Sequence, residues 1–591
     1  MYSPHRRKFL SYLGATLATP FILSACGSSS NSAPASSSPR GLVNNETLNR
    51  NSSAVFDYSI ASGDPTPSGV ILWAHIAEQA YRPQQALIFQ VANSDTFSDD
   101  ALVLEGKVPA LEINRLTDFT VHVDLDGLLP ASNTRYFYRF VYDNTVSRTG
   151  RCKTTPADGE SIEKIKFAQL NCQDFSNGYY NALSLVADDD SIDFVIHLGD
   201  FIYETGSDLR VEGQPFEDRR IELPSGALVA MDLEDYRTLY RAYRRDPMLQ
   251  RAMENHTWII TTDDHETADD CYWDYERDTL GAPEHPYTTD PQFGNSAALL
   301  TQLKLHSQQA WYEYVPVRAS LNLNASHPHQ ALTLYRDFRF GGLVELFMTD
   351  TRSYRSPHPC GEKSLFQRYL PLCDLNQVEQ SLYGPKQRDW VMNGLSDSSC
   401  QWKVLGNQTF MGRLGIYLQE NKQQVVQVDA WDGYSAERRW LMEQVKTQNI
   451  ENLVVLTGDL HSTIASYLKE EYDNQPISEE NPPLGVEFMA PAITSASLGN
   501  EILKNNPEMV KEKLLQSMAY LLVRGSNVHI RYFDSVNHGY STVEFTPNYC
   551  EWRAYKVDKD VLDETPKRTQ ITAYRKYPDR ALLQHMSPKR F

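Results

Sequence analysis

Six apolar, β-branched runs lie along the chain between residues 165 and 461, and each stops abruptly on a residue able to hold a metal ion or a phosphate. They are IKFAQLNC ending at Cys172, DFVIHLGDFIY carrying Asp200 and Tyr203, and WIITTDDHE carrying Asp264 and His265. The others are LVELFMTDTR carrying Asp350 and Arg352, WKVLGNQ carrying Asn407, and NLVVLTGDLH carrying Asp459 and His461. Short unbroken runs of this kind predict strands buried on both faces. Helical patterns stand between them: GYYNALSLVADD, PKQRDWVMNGLS and YSAERRWLMEQVKTQ. That alternation predicts an α/β body with helices covering its sheets. Ligands in open α/β sheets gather beyond the strand ends, so the six termini are expected to converge on one site.

Residues 54–156 follow a different pattern. ILWAHI, ALIFQVAN, FTVHVDLDGLLP and TRYFYRFVYD are short strand-like runs separated by turn residues. In the last, Tyr136, Tyr138, Phe140 and Tyr142 alternate with Phe137, Arg139 and Val141, the period of a strand with one face in a core. A small all-β sandwich is expected there. The charged, aromatic stretch 205–255 is expected to be helical, and 266–300 and 353–385 to be long loops around the site. The basic, tyrosine-containing stretch 555–591 is expected to form a helix near the site mouth. The chain contains no internal repeat.

The first residues change the picture of where the protein works. Arg6, Arg7 and Lys8 precede a modestly apolar stretch interrupted by Gly14 and Pro20, too short and broken for a spanning helix. The arginine pair resembles a twin-arginine export signal, and L-S-A-C ending at Cys26 resembles a lipoprotein cleavage box. The expectation is a signal peptide over 1–25, a lipid on Cys26, and a flexible Ser-rich tether over 26–53. The protein is then an exported lipoprotein of the periplasm or cell surface. The 591 residues carry a net charge of −20, and loss of Arg6, Arg7 and Lys8 takes it to −23. That balance argues against a nucleic-acid-binding surface, and a monomer with no stable nucleic-acid complex is expected. Of the eight cysteines, Cys360 and Cys373 sit close together in a Pro-rich loop and are expected to pair, whereas Cys152, Cys271, Cys400 and Cys550 stay unassigned.

The chemistry follows from the donor types. Asp200 and Tyr203 share a G-D-x-x-Y turn, so a carboxylate and a phenol leave one strand end together. Phenolate and thiolate favour a trivalent, Lewis-acidic iron, whereas carboxylate oxygens suit Ca²⁺, Mg²⁺ or Mn²⁺. A set holding Cys172, Asp200, Tyr203, Asp264, Asp459 and His461 therefore points to more than one metal, with Asp200 as the natural bridge. Paired metals can clamp a phosphoryl group and activate water. Each residue alone also has a plainer reading: Cys172 as a small buried hydrophobe, Tyr203 as core packing, His461 as a satisfied histidine, Asp264 as a helix cap. Asp350 and Arg352 would then be a simple salt bridge, and Asp429 and Asp432 a turn that caps a helix.

Taken in order, these stretches resemble the PhoD family of alkaline phosphatases and phosphodiesterases, within the wider metallophosphatase superfamily. The resemblance rests on IASGDPTPSGVILWA (60–74), the C-Q pair at Cys172, HLGDFIYE (197–204), DDHE (263–266), DTRSYR (350–355), DAWDGY (429–434) and GDLHS (458–462). It implies a two-sheet αββα metallophosphatase domain over 160–548, preceded by a fibronectin-III-like sandwich over 54–156 and followed by a C-terminal extension over 549–591. It implies that Cys172, Asp200, Tyr203 and His461 ligate Fe³⁺. Asp200 would bridge to a second ion, Ca²⁺ by analogy with Mg²⁺, Mn²⁺ or Zn²⁺ left open, held by Asp264 and Asp459, with Asn407 as a further ligand. His265, its ring oriented by Glu266, would bond the phosphate or protonate the leaving group, and Arg352 would fork onto phosphate oxygens. The implied activity is metal-dependent hydrolysis of phosphate mono- or diesters, by metal-activated hydroxide attack on phosphorus.

Two other readings compete. One is a surface lipoprotein that binds an envelope polymer with an inactive phosphatase body; the intact motifs argue against it. The other keeps the enzyme with a purple-acid-phosphatase-like iron–zinc or iron–manganese pair, against which stands Asp459, a harder donor than histidine.

Overall fold

The computed structural model describes residues 42–206, 216–362, 365–371, 373, 375, 380–419, 422–472, 475–497 and 523–586. The export signal, Cys26 and the tether to residue 41 lie outside the described residues. No helix among the described residues is long and apolar enough to cross a membrane.

All six apolar runs form strands, and they divide three and three between two sheets. Ile165–Leu170, Phe194–His197 and Thr257–Ile260 lie parallel and adjacent in a ten-stranded sheet. Val344–Met348, Trp402–Gly406 and Leu453–Thr457 lie parallel and adjacent in a seven-stranded sheet, with Gly485–Met489 continuing the ladder. Side-chain alternation explains why the runs are apolar throughout. Phe167, Phe194 and Ile196 meet Leu346, Val404, Val454 and Phe488 of the other sheet in a core between them. Ala168, Leu170 and Trp258 face the opposite way, into a core shared with the helices Asn181–Asp188, Leu233–Arg244, Pro247–Asn255 and Ala297–Tyr314. On the far side of the second sheet, Phe347, Leu405 and Val455 pack against Gly384–Asp397 and Ser435–Thr447. Each such fully buried side chain contributes roughly 1.5–3 kcal/mol. The molecule is of the α/β class.

The helices begin where capping chemistry allows. Asp232 accepts from the amides of Glu234 and Asp235, and Asp246 from those of Met248 and Leu249, with Pro247 at the first helical position. Among the described residues of the stretch 205–255, the α-helices are Leu233–Arg244 and Pro247–Asn255. The 266–300 stretch holds a short hairpin, Tyr272–Asp274 with Thr279–Gly281, and the start of Ala297–Tyr314.

Three regions differ from the sequence reading. The described residues of the C-terminal stretch form no helix at a site mouth. Cys550–Lys556, Thr569–Lys576 and Gln584–His585 add antiparallel strands at one edge of the ten-stranded sheet. Ile571 and Tyr574 pack there onto the core between the sheets, and this burial outweighs the charged composition that suggested a helix. The N-terminal β region is not a separate pair of sheets. Ile60–Thr66, Gly69–His75 and Thr120–Asp124 continue the ten-stranded sheet through a parallel pairing of Ser62 and Gly63 with Thr257 and Trp258. They share a core with a five-stranded sheet built around Leu87–Ala92 and Arg135–Tyr142. The end of the expected tether is pinned, since Asn45 donates to the Phe97 carbonyl and Asn49 bridges to Thr145.

Candidate metal centre

The strand ends of both sheets meet, and the backbone there is held in unusual conformations. Cys172, Asp200, Asp459 and His461 all have positive φ, at 52°, 55°, 66° and 48°. Non-glycine residues in the left-handed region each cost on the order of 1–3 kcal/mol, and such residues cluster where geometry serves function. Glycines let the turns approach. A Cβ on Gly199 would lie 2.4 Å from the Asp263 Cβ, and one on Gly458 would lie 2.8 Å from the Asn171 Cβ. The G-D pairs at 199–200 and 458–459 thus seat each aspartate turn against the neighbouring strand end.

At one end of the site, Cys172, Asp200 and His461 place ligand atoms within 4.8 Å of one another. The Tyr203 hydroxyl lies between two of them, 3.0 Å from Asp200 Oδ2 and 3.1 Å from His461 Nε2. His461 Nδ1 donates to the Ala496 carbonyl at 2.6 Å, which leaves Nε2 with its lone pair toward the cluster. Burial pushes the Cys172 thiol well above its ordinary range, with Asp200, Asp263 and Asp459 adding to the shift. Burial likewise lifts Asp200 well above the carboxylate range and holds His461 neutral, at about 4. Asp200 Oδ1 is buried and has no hydrogen-bond partner. A thiol, a phenol, a carboxylate with an orphaned oxygen and a neutral imidazole, converging on one point, fit a Lewis-acidic metal ion.

At the other end stand four carboxylates, Asp263, Asp264, Asp429 and Asp459, and the Arg352 guanidinium sits among them. Its Nε is 2.5 Å from Asp263, Nη1 is 2.7 Å from Asp429, and Nη2 is 2.9 Å from Asp459 and 3.3 Å from Asp264. The Arg352 side chain is fully buried. Arg355 and His358 also bond Asp429, at 2.5 and 2.7 Å. Burial raises all four carboxylates, but Arg352 with His265 more than offsets it at Asp264, and Arg352 with Arg355 does so at Asp429. Asp263 and Asp459 remain raised, Asp263 to about 7. Two arginines and His358 face the four carboxylates, and Asp263 and Asp459 are still pushed toward protonation. Asp263, Asp264 and Asp459 bring oxygens within 4.8 Å of one another, a donor set that fits a hard divalent cation.

His265 lies at the join of the two ends, its ring 4.1 Å from that of Tyr203. Its Nδ1 contacts Glu204 Oε2 at 2.7 Å, and Glu204 Oε1 accepts from the Asp269 amide. Glu204, not Glu266, orients this ring. Glu266 instead accepts from the amides of Asp200, Phe201 and Asp263 at 3.1, 2.7 and 2.6 Å, and so staples two strand ends together. It reaches backbone because its own strand end lies directly beside the Asp200 turn.

Other sequence expectations also change. Asn407 is fully buried, and its amide is taken: Nδ2 donates to Thr409 and Oδ1 accepts from Tyr383 at 2.9 Å. These bonds tie it to the strand end and to Tyr383. Arg352 does not present a fork to phosphate, since carboxylates surround it and occupy all three nitrogens. Asp350 makes no salt bridge with it but accepts from the amides of Arg352 and Ser353. Asp429 caps no helix; it is the counter-ion of Arg352 and Arg355, and Asp432 pairs with Arg438. The sequence reading missed Glu204, which directly follows the G-D-x-x-Y turn, and the Ala496 carbonyl, for which no side chain gives a signal. Cys360 and Cys373 are disulfide-bonded; Cys152, Cys172, Cys271, Cys400 and Cys550 are free.

Comparison with known proteins identifies a family. The family model described as PhoD-like phosphatase matches residues 167–554, and the one described as its N-terminal domain matches 43–156. Alkaline phosphatase D of Bacillus subtilis (strain 168) is 30% identical over 514 residues, covering 86% of this chain and 78% of the relative. A solved structure described as "Structure of PhoD" superposes with a TM-score of 0.74 at 27% identity, covering 92% of this chain and 94% of the other.

Proposed function

The chain belongs to the PhoD-like phosphatase family and is a phosphoester hydrolase, and from that premise we propose a secreted, lipid-anchored, metal-dependent alkaline phosphatase or phosphodiesterase. The observation that carries the metal dependence is the Cys172–Asp200–Tyr203–His461 cluster, a thiol, a carboxylate, a phenol and an imidazole that converge on one point. In this reading these four hold Fe³⁺. Asp264 and Asp459, with Asp200 shared, hold Ca²⁺ or a comparable hard ion. The layering of two sheets between helices supports the metallophosphatase αββα arrangement.

Bound there, the ions supply Lewis acidity toward a phosphoryl oxygen and lower the pKa of a water from 15.7 to about 7. The chain does the rest. Against burial, the Glu204, Asp264 and Asp200 carboxylates hold the His265 ring well above its ordinary range, so that the imidazolium, bonded to Glu204 through Nδ1, would give its Nε2 proton to the leaving oxygen and remain as the neutral ring. The Glu266 staple keeps the Asp200 and Asp263 turns in register.

The test is hydrolysis of a phosphodiester and a phosphomonoester at alkaline pH by purified mature protein, with and without added Ca²⁺, beside Asp200→Asn. Metal-dependent turnover lost in the variant supports the reading, and the ratio of the two rates assigns the ester class. Iron-bearing protein with no turnover on either ester would defeat it. The lipid anchor is tested separately, by fatty-acid labelling that disappears in Cys26→Ser.

A further inference from the structure

We propose that Arg352 is a positioning residue, which sets the carboxylate cage for the divalent ion and makes no bond to phosphate. The proposal rests on the reading that Asp264 and Asp459 hold such an ion. The geometry points to it through the way the guanidinium divides its contacts. It takes Oδ1 of Asp263, Oδ1 of Asp264 and Oδ1 of Asp459, one oxygen from each. Only Asp429 gives it both oxygens, at 2.7 and 3.0 Å. Asp429 is held in turn by Arg355 and His358, and it is the anchor from which the fork is aimed.

The second oxygens show what is left over. Asp264 Oδ2 accepts from the Asp270 amide at 2.7 Å, which fixes that carboxylate's rotation. Asp263 Oδ2 is buried with no partner. The planar fork therefore cross-links three strand ends, following Ile260, Met348 and Thr457, without consuming their full anionic capacity. Three repelling carboxylates are held within 4.8 Å of one another before any ion arrives. A phosphate has no free nitrogen to meet: Nε, Nη1 and Nη2 all carry carboxylate bonds, and the side chain has no exposed surface.

Lysine keeps the charge and loses the fork, so Arg352→Lys separates positioning from charge. The experiment is calorimetric titration of chelator-treated, iron-containing protein with Ca²⁺, wild type beside Arg352→Lys, with circular dichroism and iron content as controls. The expected result is Ca²⁺ binding weakened by about 10- to 100-fold in the variant, the range typical of residues that orient metal ligands. Its iron content and its inhibition constant for inorganic phosphate at saturating Ca²⁺ would stay unchanged. Equal Ca²⁺ affinity in both proteins, or a tenfold loss of phosphate inhibition, would overturn the proposal while leaving the divalent site standing. A wild type that binds no Ca²⁺, Mg²⁺ or Mn²⁺ would overturn the second-ion reading itself and the proposal with it. Should the variant not fold, a crystal structure of wild type soaked with inorganic phosphate decides. Arg352 on its carboxylates upholds the proposal, and Arg352 on the phosphate ends it.

Discussion

At one end of the site Cys172, Asp200, Tyr203 and His461 converge beside the His265 ring; at the other, Asp263, Asp264, Asp429 and Asp459 surround the Arg352 guanidinium. Both ends bury potential anions, and an isolated buried anion is too costly to persist. The carboxylate end meets much of that cost internally, through two arginines and a histidine. At the thiol–phenol end burial outweighs the charge of the neighbouring His265 ring, and Cys172 and Asp200 are pushed toward their neutral forms. The difference teaches where the chain depends on an outside ion. An arginine-braced cage is held by its own cations, whereas the thiol, phenol and carboxylate of the other end reach their ionised state only with a metal.

The sharpest way to break the comparison is to remove the donor common to both ends. Asp200→Asn is expected to lower kcat/KM by on the order of 10³-fold or more, with loss of bound iron, measured by steady-state kinetics and elemental analysis. The converse test leaves every proposed ligand in place. Asp429→Asn strips the counter-ion from Arg352 and Arg355, and the stranded buried cations should cost about 3–5 kcal/mol in denaturant unfolding. An unchanged midpoint would mean that the carboxylate end is not internally braced. Glu204→Gln touches neither cluster but frees the His265 ring. A fall in kcat of about 10- to 100-fold with metal content intact is expected, and Glu204→Asp should restore part of it.

The smallest effect lies outside both ends. Burial depresses His529 to about 3, and it bonds the Arg413 carbonyl while neutral. The folded state therefore binds fewer protons than the unfolded chain between the ordinary histidine value of 6.5 and about 3. Stability is complete above 6.5 and is lost as pH falls through that window. His197, His256 and His538 are depressed in the same way, by burial first. His529→Gln should thus flatten only part of the acid decline in Tm, and an identical decline would remove His529 from the account.

Much of this was legible in the sequence because burial on both faces leaves an unmistakable mark. The six apolar runs became strands, and their last residues carry most of the candidate site. What escaped was geometry between strands. Glu204 and Glu266 are both carboxylates beside predicted ligands, and only the packing of two turns decides which meets the His265 ring and which meets backbone amides. Arg352 read as a phosphate fork because nothing in the chain order reveals that four aspartates from three separate stretches close around it. The edge strands Thr569–Lys576 and Gln584–His585 escaped because charged, half-exposed strands carry weak periodicity. The Ala496 carbonyl escaped because a backbone atom has no sequence signature.

The most direct test of the central claim, that the thiol–phenol cluster needs a metal the chain cannot replace, is the iron content of the purified chain. Wild type should carry about one iron per chain, Cys172→Ser and Asp200→Asn should carry almost none, and Asp429→Asn should keep its iron. Wild-type protein free of any transition metal yet fully active, or Cys172→Ser and Asp200→Asn proteins that keep full iron, would contradict it.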